Sequence, residues 1–64
     1  MTFVTHLNQM ELQNLRELIG SHDTAAIKLK TYAEQCSDSQ VKDMFQRSAQ
    51  SAQQTKEKLM SFLQ

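Results

Sequence analysis

Two helix-start signatures of the same form divide this chain. In the first, Asn8 is the capping residue and Glu11 follows three positions later; in the second, Ser37 and Gln40 have the same roles. Each signature lies between two apolar residues, so each is a capping box inside a hydrophobic staple. We therefore predict that a helix begins at each of them.

The two predicted helices are long and close together in sequence. They cover about residues 8–36 and 38–63, after a lead-in of residues 1–7, and the chain has no proline to end either one. A connection of two or three residues makes consecutive helices antiparallel neighbours. The predicted fold is all-α, a single antiparallel two-helix hairpin.

Gly20 leaves an alternative open within the first helix. Residues 20–24 read Gly-Ser-His-Asp-Thr, which suits a helix C-cap followed by a new N-cap and would give three helices. The apolar spacing passes through this segment without a slip, and a mid-helix glycine costs only about 1 kcal/mol relative to alanine. We expect a continuous helix, with a kink at Gly20 left open.

Both helices carry an apolar stripe too broad for one neighbour. At 100° per residue the stripe of the first helix is about 160° wide, whereas a strict coiled-coil seam is narrower. The stripe of the second helix comprises Val41, Met44, Phe45, Ser48, Ala52, Thr55, Leu59, Phe62 and Leu63. Folding the hairpin about its connection pairs Leu15 with Leu59 and Leu29 with Phe45. A dimer of hairpins, forming a four-helix bundle, is the smallest object that buries both stripes.

Length supports the same expectation. A domain of about 60 residues buries only about 60% of its unfolded surface and needs additional stabilisation. Cys36 is the only cysteine among the 64 residues, so a disulfide within the chain is excluded. We predict a homodimer or higher oligomer, with Cys36 as a packing residue or a conditional thiol cross-link between chains.

Charge and hydropathy exclude several classes of partner. Seven basic and seven acidic residues give a formal net charge of zero, whereas nucleic acids and anionic membranes attract basic surfaces. The sequence has no recognisable signal peptide and no stretch near the roughly 20 apolar residues of a membrane span. We expect a cytoplasmic protein that binds neither nucleic acid nor membrane.

No constellation of residues indicates catalysis, a metal or a cofactor. His22 is the only histidine on the apolar side, and the second helix has no inward acid or histidine to complete a metal site. We expect His22 to be partly buried and bonded to Ser48 or Thr55. A ligand-binding or pH-sensing role for His22 is the alternative.

Three segments of the sequence resemble a known family. They are residues 12–23, residues 28–38 and residues 41–45, and the most telling piece is Tyr32-Ala33-x-x-Cys36-x-Asp38. Over residues 11–63 the chain resembles the short spore-coat-like proteins of endospore-forming Firmicutes, relatives of the coat protein F family. The resemblance implies a ferritin-like fold. The Glu-x-x-His motif of ferritin-like enzymes is missing from residues 50–54, which argues against di-iron chemistry.

The leading hypothesis is a small non-enzymatic structural protein, associated with the spore coat, that acts by homodimer formation and lateral packing, with other coat proteins as further partners. An adaptor for another protein's helix and a vestigial ferritin-like metal or ligand binder centred on His22 are the alternatives. The candidate interface residues are Leu15, Ile19, His22, Ala26, Leu29, Phe45, Ala52, Leu59 and Phe62.

Overall fold

The computed structural model describes residues 7–63 and contains two α-helices. Helix α1 spans Gln9–Gln35 and helix α2 spans Ser39–Ser61, with three residues between them. These helices pack along their length, and residues 7–63 contain no strand. The predicted all-α hairpin is confirmed. Residues 1–6 of the predicted lead-in lie outside the described residues.

Helix α1 is continuous through Gly20, so the three-helix alternative is wrong. Gly20 has no positive φ, and a Cβ built on it would meet nothing within 4 Å. The glycine therefore meets no packing requirement within the hairpin.

The first predicted capping box is confirmed. The backbone N–H of Glu11 donates to Oδ1 of Asn8 over 2.7 Å, and the backbone N–H of Asn8 donates to Oε1 of Glu11 over 3.1 Å. Two amides at the start of α1 are thereby satisfied by side chains.

The second predicted cap is wrong by one residue. Asp38, and not Ser37, caps α2, and its Oδ1 accepts from the backbone N–H groups of Gln40 and Val41 over 2.9 and 3.0 Å. A carboxylate accepts both bonds with its full charge at the positive end of the helix dipole, an advantage that a serine hydroxyl lacks. Gln40 consequently has no part in a capping box with Ser37.

Alanine side chains form the buried centre of the hairpin. Ala26, Ala33 and Ala49 are the buried apolar residues of the described chain, each at most 3% exposed. Half-buried residues extend from the three alanines along both helices, and none of the described large side chains is fully buried. Small side chains at these positions let the two helices approach closely.

Two side-chain contacts between the helices lie about one turn from the pairs that the backbone count predicts. By that count Tyr32 lies opposite Lys42 and Asp23 opposite Ser51. Instead, the ring centroids of Tyr32 and Phe45 are 5.9 Å apart, and Nζ of Lys56 lies 2.9 Å from Oδ1 of Asp23.

The shift follows from the direction of helical side chains. Each side chain leans toward the N-terminus of its own helix. In an antiparallel pair, side chains of α1 therefore lean away from the connection and those of α2 lean toward it. Contacting pairs then involve α2 residues farther from the connection than a backbone register predicts.

Candidate interaction surface

One face of the hairpin is polar. A shallow groove of about 390 Å³ has Ala33 and Ala49 among its lining residues and is flanked by charged and amide side chains of both helices. The flanking residues are Lys30 and Glu34 of α1 with Gln46 and Gln50 of α2. These four residues show which side of each helix faces the groove.

The opposite side of each helix carries residues at heptad spacing, apolar on α1 and apolar at the two ends of α2. On α1, Tyr32 lies about 200° around the helix from Lys30, and Leu18 and Ala25 precede it at intervals of seven. On α2, Ser48 lies about 200° from both Gln46 and Gln50, and its heptad series includes other residues of the predicted stripe. We call this surface the apolar face: Leu18, Ala25, Tyr32, Val41, Met44, Ser48, Thr55 and Phe62.

Large side chains on the apolar face are exposed in the single chain. Met44 is 56% exposed, Phe62 50% and Leu18 48%. Eight of the sixteen Leu, Ile, Val, Met, Phe and Tyr residues between residues 7 and 63 are exposed. Exposed apolar side chains that gather on one face of a protein mark interaction sites.

The hairpin is also only one layer thick. Its principal extents are 47 × 19 × 11 Å, and the shortest is close to the diameter of one helix. Stable domains are built from at least two packed layers around a core. The broad stripe predicted on α2 accordingly divides into a line that packs on α1 and a line that faces solvent.

The structure places eight of the nine candidate interface residues at buried or half-buried positions between the helices. Only Phe62 is exposed, on the apolar face. The buried or half-buried residues are Leu15, Ile19, His22, Ala26, Leu29, Phe45, Ala52 and Leu59.

His22 bonds to its own helix and not to α2. Its Nδ1 lies 2.8 Å from the backbone carbonyl oxygen of Leu18, so Nδ1–H donates and that oxygen accepts. The ring bonds to Leu18 in place of the expected Ser48 or Thr55, so the predicted bond to α2 is wrong. The His22 ring can reach the carbonyl oxygen four residues earlier in its own helix, and this contact does not depend on the position of α2.

Cys36 is the C-cap of α1 and carries a free, half-buried thiol. Its backbone N–H donates to the carbonyl oxygen of Ala33 over 3.2 Å. Its side chain lies at the turn end of the hairpin.

Asp23 and Lys56 form an ion pair between the helices that the sequence reasoning missed. The Lys56 ammonium donates to the Asp23 carboxylate over 2.9 Å, and the Lys56 side chain is only 21% exposed. Side-chain lean was the signal available in the sequence, since it brings a residue of α2 beyond Ser51 within reach of Asp23.

Residues 7–63 hold no group of three or more His, Cys, Asp or Glu side chains placed to bind a metal ion. Within the same residues, neither helix is long and apolar enough to cross a bilayer. No family model, curated protein or solved structure matches the chain.

Proposed function

We propose that this chain is a small, non-enzymatic assembly protein that dimerises through the apolar face into a four-helix bundle. The observation that carries the proposal is a one-layer hairpin in which five of the eight exposed large apolar side chains belong to the apolar face. A second layer with the same chemistry would cover them.

The dimensions of the face suit a stable dimer. A surface 47 Å long and 19 Å wide is comparable to the area of about 800 Å² that each partner buries in a standard interface. Burying apolar surface stabilises by about 25 cal/mol per Å². A second copy of the chain presents the same pattern, as a two-fold interface requires.

The resemblance of residues 11–63 to spore-coat-like proteins adds a setting to this proposal. In a coat, the exposed Gln and Ser side chains on the outer surfaces of the bundle would support lateral packing between dimers and against other coat proteins. This setting rests on the resemblance alone.

Sedimentation equilibrium and circular dichroism across a dilution series test the proposal. We expect a dimer at high concentration, with dissociation and loss of helicity together on dilution. High helicity in a species confirmed as monomeric would contradict an obligate dimer. A poorly helical monomer at every concentration would instead favour the adaptor hypothesis.

Two matched substitutions locate the interface. Met44 lies on the apolar face and Ile27 on the polar side of α1, and they are 56% and 59% exposed. We expect Met44→Lys to weaken the dimer at least tenfold and Ile27→Lys to leave it within twofold of the unmodified chain. Equal effects would show that the apolar face is not the interface.

A further inference from the structure

Two opposite charges border the apolar face on α1. Glu17 and Lys28 are both exposed, and neither belongs to the two ion pairs among residues 7–63. At 100° per residue they lie within about 20° of each other around the helix, beside the line of Leu18 and Tyr32. Charges that flank an apolar seam in this way set partner choice and orientation between helices.

These charges also lie on either side of the helix midpoint. Since α1 spans Gln9–Gln35, its middle residue is His22, with Glu17 five residues before it and Lys28 six residues after it. Suppose that a second α1 lies antiparallel to the first, with the two midpoints together. A residue five positions before the middle of one helix then faces the residue five positions after the middle of the other. Lys28 lies one residue, about 1.5 Å along the axis, from the position that matches Glu17, a separation that these two long side chains span.

We infer that the second copy lies antiparallel, with its turn over the open end of the first, and that two Glu17–Lys28 pairs between copies select this arrangement. The inference rests on the proposed dimer. In this geometry α1 packs on α1 and α2 on α2, and the two-fold axis repeats the charge pair on the same edge of the bundle, beyond the helix midpoints.

In the alternative two-fold arrangement, the turns of the two copies lie together, and α1 of each copy packs on α2 of the other. Counted from the connection, Glu17 is then level with Glu57 and Lys28 with Gln46, and one residue farther along α2 the nearest basic groups are Lys58 beside Glu17 and Arg47 beside Lys28. The first pair attracts and the second places like charges on the same edge. Like-charge juxtaposition disfavours a binding mode, so the charges favour the antiparallel arrangement.

The size of the side chains fits the same axis. Near the midpoints the apolar side is made of small residues, Ala25 on α1 and Ser48 and Ala52 on α2. Larger residues, Tyr32 and Phe62 among them, lie toward the two ends. Small side chains at the axis let like helices approach closely where they cross.

Charge reversal tests the arrangement through the dimer dissociation constant, measured by sedimentation equilibrium at low salt. Glu17→Lys places two ammonium groups against each other at both sites, and we expect it to weaken the dimer about three- to tenfold. Adding Lys28→Glu restores opposite charges, so the double variant should return within twofold of the unmodified chain. Adding Lys58→Glu instead should give no recovery.

The outcomes separate this inference from the proposed function. Recovery with Lys58→Glu but not with Lys28→Glu, or no effect of Glu17→Lys, overturns the antiparallel arrangement while the dimer stands. Failure of the unmodified chain to dimerise overturns the proposed function itself.

Thiol cross-linking gives an independent readout. The same overlay brings Cys36 of one copy near Met10 of the other, whereas these two residues of one chain are about 39 Å apart along α1. Met10→Cys treated with a short bismaleimide should therefore give a covalent dimer. The unmodified chain, which has Cys36 alone, should not, because the antiparallel arrangement places its two thiols at opposite ends of the bundle. Cross-linking of the unmodified chain equal to that of Met10→Cys would overturn the arrangement, because it would place the two turns together.

Discussion

The Lys56 ammonium lies 2.9 Å from the Asp23 carboxylate and joins α1 to α2 near the middle of the hairpin. The Asp23 side chain is 47% exposed and that of Lys56 21%, so solvent screens the pair and its contribution is of the surface type. Its main structural role is to fix the register of the two helices on the side away from Tyr32 and Phe45.

We expect Asp23→Asn to lower the free energy of unfolding by about 0.5 kcal/mol at low salt, because it removes one charge of a partly exposed pair. A double-mutant cycle with Lys56→Met, followed by urea denaturation, isolates the interaction between the two side chains. In 1 M salt the coupling should fall, since screening then acts over about 3 Å. A coupling that is unchanged by salt would contradict an electrostatic origin.

Asp38→Ala should destabilise the protein by about 1 kcal/mol, because it leaves two amides at the start of α2 without their acceptor. Ser37→Ala is the matched control and should change the free energy of unfolding by only a few tenths, within the range of about 0.5 kcal/mol for surface substitutions. Thermal and urea denaturation monitored by circular dichroism measure both. A larger effect at Ser37 would assign the cap to that residue instead.

Gly20→Ala should stabilise the protein by about 0.5–1 kcal/mol. Gly20 has helical geometry, and its added Cβ would meet nothing within 4 Å, so alanine gains helix propensity and loses unfolded-state entropy without strain. Ser21→Gly, at the next exposed position of the helix, should have the opposite sign. Loss of stability on Gly20→Ala would indicate that this surface is covered in the assembled protein.

Ala49→Leu should destabilise the hairpin by about 1–3 kcal/mol, because Ala49 is 1% exposed and a larger side chain forces the helices apart. Gln50→Leu adds an apolar side chain at the adjacent exposed position and should stay within about 0.5 kcal/mol. Urea denaturation at one fixed protein concentration compares the two. Similar values for both variants would show that the helices have room to separate.

The hairpin itself was predictable because several local signals agree. Asn8 and Glu11 define the first cap, no proline interrupts either helix, and the apolar spacing continues through Gly20. Agreement between capping chemistry and apolar period is what specifies helix type and extent.

The errors arose where a choice depends on geometry in three dimensions. Ser37 and Asp38 are adjacent and both are good N-caps, so the path of the connection decides between them. The pairing register depends on side-chain lean, which a backbone count leaves out. The bond of His22 depends on which acceptor is nearest, and the preceding turn of its own helix always offers one.

The alanine centre of the hairpin has a consequence for how the chain folds. Three alanines and a line of half-buried side chains remove less apolar surface from water than a core of fully buried large residues, so the hairpin alone gains less to offset the conformational entropy of ordering two long helices. In the proposed dimer, folding and association are therefore one equilibrium, and protein concentration acts on it as temperature or urea does. Each tenfold rise in concentration then adds about 1.4 kcal/mol to the stability of the assembled state, and the melting temperature rises with it.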